Sequence, residues 1–139
     1  MIGGKLIHCQ KALKWYTFTI SFIMFTNGRC IIPATAFYEW QKNEDKGKTK
    51  MMITIKDVSV FGMAGIYRRV LNEDGSQILR FAIITISANK IISEIHNRMP
   101  VILPADAENA WLDNTITDAL MLKEFLKPYD GDMLYKPAT

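Results

Sequence analysis

The 139-residue sequence lacks most of the features that announce a function. Its two cysteines, Cys9 and Cys30, are too few for a disulfide framework and wrongly spaced for a metal site. Such sparse cysteine usage points to a reduced, cytoplasmic protein. Net charge is only +3, so no strong basic field advertises nucleic acid, and any such contact must come from a local patch. Neither a secretory signal nor a membrane span is expected. The most apolar run, residues 15–26, is about half the length a bilayer span requires and is interrupted by Thr17, Thr19 and Ser21. No glycine-rich phosphate loop and no serine–histidine–aspartate order occurs, which removes the familiar nucleotide-binding and hydrolase readings. Repeats and low-complexity linkers are also missing.

What remains is a chain of one domain's length in which 49% of residues are hydrophobic, too many for a disordered protein. The first 28 residues are the least legible. Trp15, Phe18 and Phe22 suit one helical face, but Phe18, Ile20, Phe22 and Met24 share one face of a strand, and β-branched Thr17, Thr19, Ile20 and Ile23 favour strand over helix. Asn27-Gly28 closes the stretch as a turn. Consecutive strands follow. Residues 42–50 are polar and read as an exposed hairpin loop, and residues 51–56 as a strand. Residues 58–66 form an apolar strand in which Gly62 and Gly65 suggest a bulge or a close backbone approach. Asp74-Gly75 makes a hairpin turn, after which residues 78–86 return as a buried strand. Helices come last. Asn89 caps a short one ending near His96, residues 105–112 bury Trp111, and residues 117–127 form a third with Thr117 as its cap. Strands followed by short helices, without βαβ alternation, predict an α+β fold around a mainly antiparallel sheet.

Two stretches carry the chemistry. The first runs from Arg29 to Trp40, RCIIPATAFYEW, and sets one carboxylate among three aromatic residues. Consecutive aromatics favour an extended backbone, which puts Phe37 and Glu39 on one face and Tyr38 and Trp40 on the other. A carboxyl group beside an aromatic ring is poorly solvated and holds its proton more tightly, the property required of a general acid or base near neutral pH. A half-exposed glutamate on a strand edge is the structural alternative. The second stretch, IHNRMP from Ile95 to Pro100, places His96 at the end of a short helix with Arg98 directly beyond. This is either a helix-capping histidine next to a solvated arginine, or half of a proton-transfer pair next to a phosphate ligand. Lys46, Lys48 and Lys50 read as a solvated loop, with phosphate contact the functional alternative.

These stretches occur in order with Met63 to Tyr67 (MAGIY), Ile83 to Thr85, Ala88-Asn89 and Ile95 to Leu103. Together they resemble the SRAP family, the SOS response-associated peptidases that process abasic sites in DNA. The resemblance covers residues 29–135, so 29–139 reads as an SRAP-like domain and 1–28 as a diverged N-terminal segment. It implies a β-rich, partly barrel-like α+β domain that binds single-stranded DNA. It also implies self-cleavage exposing a terminal cysteine, whose amine and thiol capture the abasic sugar as a thiazolidine in peptidase- and lyase-type chemistry. Glu39 and His96 match the family's catalytic pair, and Trp40, Arg98 and Arg29 its DNA contacts. No cofactor, no metal and no membrane partner is implied. The sequence departs from the family in several places. Ile2 follows Met1 where the pattern has cysteine, no Asn-Ala-Arg motif precedes Arg29, and Ala36 and Asn97 replace the usual glycine and aspartate. A single-stranded DNA-binding remnant without catalysis is therefore the alternative, and a peptidase acting on other polypeptides a third.

Overall fold

The computed structural model describes residues 26–139. The expected strand over residues 15–26 lies outside them except for Thr26, which together with Asn27 is helical. The elements are β1 (Arg29–Ala34), β2 (Phe37–Lys42), β3 (Lys48–Ile55), β4 (Phe61–Leu71), β5 (Gln77–Ile83) and β6 (Thr85–Ser87). One 3-10 turn (Ile92–Glu94) precedes β7 (Arg98–Pro100) and β8 (Ile102–Leu103). Two further helices, α1 (Glu108–Leu112) and α2 (Ala119–Lys123), come before β9 (Met133–Pro137).

The fold is α+β and dominated by antiparallel sheet. Strands β1, β4 and β5 lie side by side, with β8 also on β4. A second sheet has the order β2-β3-β9, and β6 pairs with β7. The partly barrel-like closure implied by the resemblance is not found: among the described residues β1 and β5 end one sheet and β2 and β9 the other, so neither closes on itself.

The long strand β4 organises the interior because its alternate residues face opposite ways. Phe61 and Met63 enter a core with Met51, Ile53, Ile55, Ile92, Ile95, Met99, Ile102 and Met133. Ala64 and Ile66 enter another with Ile84, Val101, Leu103, Trp111 and Leu122. Backbone approach is close at Gly65, where a Cβ atom would lie 2.1 Å from Ile32 Cδ1 and 3.0 Å from Cys30 Sγ. A side chain there would have to displace the tip of Ile32 and would press on the Ala82 carbonyl oxygen at 3.1 Å, so glycine suits the position.

Three local expectations are corrected. The segment read as a buried strand is mostly exposed along β5, with Leu79 60% and Phe81 48% accessible. The polar loop is confined to residues 43–47, and Lys48 and Lys50 already belong to β3. The second helix is capped by Asp118 instead of Thr117, its carboxylate accepting from the amides of Leu120 and Met121. An ionised aspartate satisfies two orphan donors and opposes the helix dipole, which a threonine hydroxyl does less well.

Candidate active site

Strand β2 alternates as its composition demands. Glu39 is buried, at 7% exposure, while Tyr38 and Trp40 stand exposed on the opposite face. The inner face is held by apolar contact. Phe37 packs edge-on against Phe61 at 6.5 Å between centroids, and Met51 lies opposite Glu39 in β3. Gln41, two residues beyond Glu39 on the same face, donates from Nε2 to the carbonyl of Glu94 at 3.0 Å. Tyr135 donates its hydroxyl proton to the Glu94 carboxylate at 2.7 Å. These bonds draw the 3-10 turn, and with it His96, against the Glu39 face of the sheet.

The turn is built by Asn89, whose Oδ1 accepts from the amide of Ile92 at 2.9 Å. Its last hydrogen bond runs from the amide of His96 to the carbonyl of Ile92 at 2.8 Å. The imidazole is then oriented by the backbone: Nδ1 lies 3.1 Å from the amide nitrogen of Arg98 and 3.3 Å from its carbonyl oxygen, accepting from the first or donating to the second according to the tautomer.

Glu39 is the electrostatically unusual group. Burial pushes its carboxyl above the ordinary carboxylate value, and the nearby charge of His96 works in the other direction. Desolvation wins. No hydrogen bond or ion pair within 4.0 Å joins the Glu39 carboxyl group to His96 or to any other described residue. Yet no buried side-chain oxygen or nitrogen lacks a partner among the described residues. The Glu39 carboxyl oxygens therefore reach the surface, where water or a substrate can bond them.

Arg98 is exposed beside this pair. Its Nε and Nη2 bond the Thr85 hydroxyl at 3.3 and 3.0 Å, and Nη2 also bonds the Thr85 carbonyl. Nη1 carries no hydrogen bond among the described residues and is aimed by a held guanidinium. The role of Thr85 was not legible in the sequence, because only the β6–β7 register brings it to Arg98.

Arg29 and Trp40 stand elsewhere. Arg29 is 4% exposed and grips the chain around α1. Its Nε donates to the Trp111 carbonyl at 2.6 Å, Nη1 to Thr26 at 2.7 Å and Nη2 to Asp113 at 2.5 Å. The guanidinium also lies 5.7 Å from the Trp111 ring centre. Burial lowers its pKa, opposed by the charge of Asp113. Trp40 shares a strand with Glu39 but not a face.

Cys30 is half-buried and reduced. Burial pushes its thiol up to about 11, so almost none is thiolate near neutrality. Among the described residues no cluster of three or more histidine, cysteine or acidic side chains could hold a metal. No helix among them is long and apolar enough to cross a membrane.

The pattern of the family described as SOS response associated peptidase (SRAP) matches residues 18–138, and so begins inside the segment that looks diverged. The chain is 41% identical over 104 residues to the abasic site processing protein YoqW of Bacillus subtilis, covering 75% of this chain and 46% of the relative. It is 31% identical over 94 residues to the abasic site processing protein YedK of Escherichia coli, covering 68% and 41%. It thus spans about half the length of the curated relatives it matches. Among solved structures, a protein of Bacteroides thetaiotaomicron superposes with a TM-score of 0.78 at 33% identity, over 84% of this chain and 51% of that one. A protein of Bordetella bronchiseptica gives 0.72 at 30% identity, over 81% and 55%. With most of its length matched by the family pattern, the chain belongs to the SRAP family.

Proposed function

We propose that this chain binds single-stranded DNA at abasic sites and that Glu39 and His96 move protons at the exposed sugar. The observation that carries this reading is a nearly buried carboxyl group that has no hydrogen-bond partner among the described residues, lies near His96 and opens to the surface. An abasic deoxyribose equilibrates between a closed hemiacetal and an open aldehyde. Opening requires a proton taken from the anomeric hydroxyl and one given to the ring oxygen, both steps of general acid–base catalysis. Glu39, holding its proton more tightly than an ordinary glutamate, is the donor. His96 stabilises the carboxylate left behind, which then serves as the base. Arg98 supplies the charge for a flanking phosphate.

Stable capture of the aldehyde is a separate matter. In the family a terminal cysteine supplies both amine and thiol. Cys30 cannot replace it, since its amine is in a peptide bond and its thiol stays protonated. Cys30 therefore offers no covalent route, and a second reading is that residues 26–139 bind abasic strands without covalent chemistry of their own.

The test uses a single-stranded oligonucleotide with one abasic site beside its intact counterpart. The wild-type chain should bind the abasic strand more tightly, Glu39→Gln should remove that preference, and heating before a denaturing gel should leave no shifted band. Equal affinity for both strands would overturn the proposal. A heat-stable band would overturn the non-covalent reading.

A further inference from the structure

Glu39 and His96 act on each other electrostatically, yet no hydrogen bond or ion pair within 4.0 Å joins their side chains. Their spacing is therefore set by other residues. Depth comes from Ile92 and Ile95, on either side of Glu94, which are buried in the same core as Met51 and Ile53. Apolar packing of this kind is non-directional and does not stop the turn from sliding across the sheet. The sideways position comes from Glu94, the last residue of the 3-10 turn. It is bonded from both edges of the β2-β3-β9 sheet. Gln41 on β2 donates to its carbonyl at 3.0 Å, and Tyr135 on β9 donates to its carboxylate at 2.7 Å. The register puts these two anchors on opposite sides of Glu39. Gln41 lies in the row of Thr49, Glu39 in the row of Met51 and Pro137, and Tyr135 in the row of Phe37 and Ile53. The line between the anchors crosses the row of Glu39, and Glu94 ties it down two residues before His96.

We propose that Glu94 is the positioning residue of this site, and that its two anchors, Gln41 and Tyr135, hold His96 at its working distance from Glu39. The proposal rests on the reading of Glu39 and His96 as the proton-moving pair and names what keeps that pair assembled. None of the three touches the sugar in that reading; they act through the turn. A hydrogen bond to a carboxylate is the stronger kind, so the Tyr135 bond is the dominant anchor. The negative charge of Glu94 is not the active element, because the charged group that acts on Glu39 is His96. What Glu94 supplies is an acceptor at a fixed place.

The experiment follows the Glu39 carboxyl by carbon NMR across pH, on the full chain without DNA. His96→Gln should raise the Glu39 midpoint, because the charge that opposes burial is gone. In a Tyr135→Phe background the same change should raise it about half as much or less, since Coulomb coupling weakens as the pair separates. Gln41→Ala tests the clamp from the other edge and should act in the same direction. Glu94→Gln keeps an acceptor for the Tyr135 hydroxyl and should leave the coupling at its wild-type size. Glu94→Ala should reduce it as Tyr135→Phe does. Full coupling in both Tyr135→Phe and Gln41→Ala would overturn the proposal, even if both melt earlier, because bonds that only stabilise behave that way. Equal losses in Glu94→Gln and Glu94→Ala would also overturn it, by tracing the effect to charge. No DNA enters this measurement, so failure of the abasic-site reading leaves the result standing. If the coupling is unaffected while the wild-type chain still prefers the abasic strand, only the clamp falls.

Discussion

Arg29 and Arg98 show what a fold does with the same side chain in two regions. At the β1–α1 junction Arg29 is buried and spends its donors on three backbone carbonyls, so it holds the protein to itself. At the β6–β7 ladder Arg98 is exposed and tied on one side to Thr85, leaving its outer donors for something else. Both arginines lie within the residues that the family pattern matches. The difference teaches that a recognisable arginine marks a constrained position, and only its partners say whether the constraint is structural or functional.

The largest effect should come from Arg29. Replacing it with alanine leaves buried carbonyls unsatisfied and should cost about 3–5 kcal/mol in urea unfolding. Lysine should not rescue it, lacking the planar fork. A loss under about 1 kcal/mol would erase the contrast between the two sites. Arg98→Ala should do the opposite. Stability should stay within about 1 kcal/mol, as is usual for an exposed side chain, while affinity for single-stranded DNA falls about tenfold and the salt slope by about one.

A subtler contrast concerns Glu39. Its folded-state pKa is raised, so the folded protein binds the proton more tightly than the unfolded chain does. Stability from this group is complete below the unfolded value and is lost as pH rises through the folded one. Glu39→Gln removes that dependence, so the variant should match wild type in acid and gain on it as pH increases. Thermal melts across pH check this, and a parallel pair of curves would show that solvent reaches the carboxyl freely. The smallest expected effect is at Cys30, where alkylation at neutral pH should be slow and should accelerate on unfolding.

How much of this was legible depended on how local the cause was. The alternation of Phe37 to Lys42 and the Asp74-Gly75 turn are written in neighbouring residues, and both appear as read; Gly75 has a φ of 81°. Asn89 also caps as its position suggests. Strand β5 misleads because Ile78, Leu79 and Phe81 are apolar by composition, while burial depends on what packs over them. Lys48 and Lys50 look like loop residues until β2 pairs with them. Within the site, the raised pKa of Glu39 comes from its burial on the inner face opposite Met51, while Tyr38 and Trp40 stand on the other face. The burial of Arg29 was not legible, because its partners Trp111 and Asp113 lie more than 80 positions away.

The position of β4 between two cores also governs how the chain must fold. Its partners are β1, earlier in the chain, and β5 and β8, later, with β8 beginning at Ile102. The amide of Ala64 is bonded to Val101, and its carbonyl to the amide of Ile84. No short segment can therefore complete either core alone. Loops must close on both sides of β4 first, which makes folding slow and cooperative compared with a helical protein of this size. The amide protons of Ala64 and Ile66 should be among the last to exchange with solvent, since releasing them requires both cores to open together.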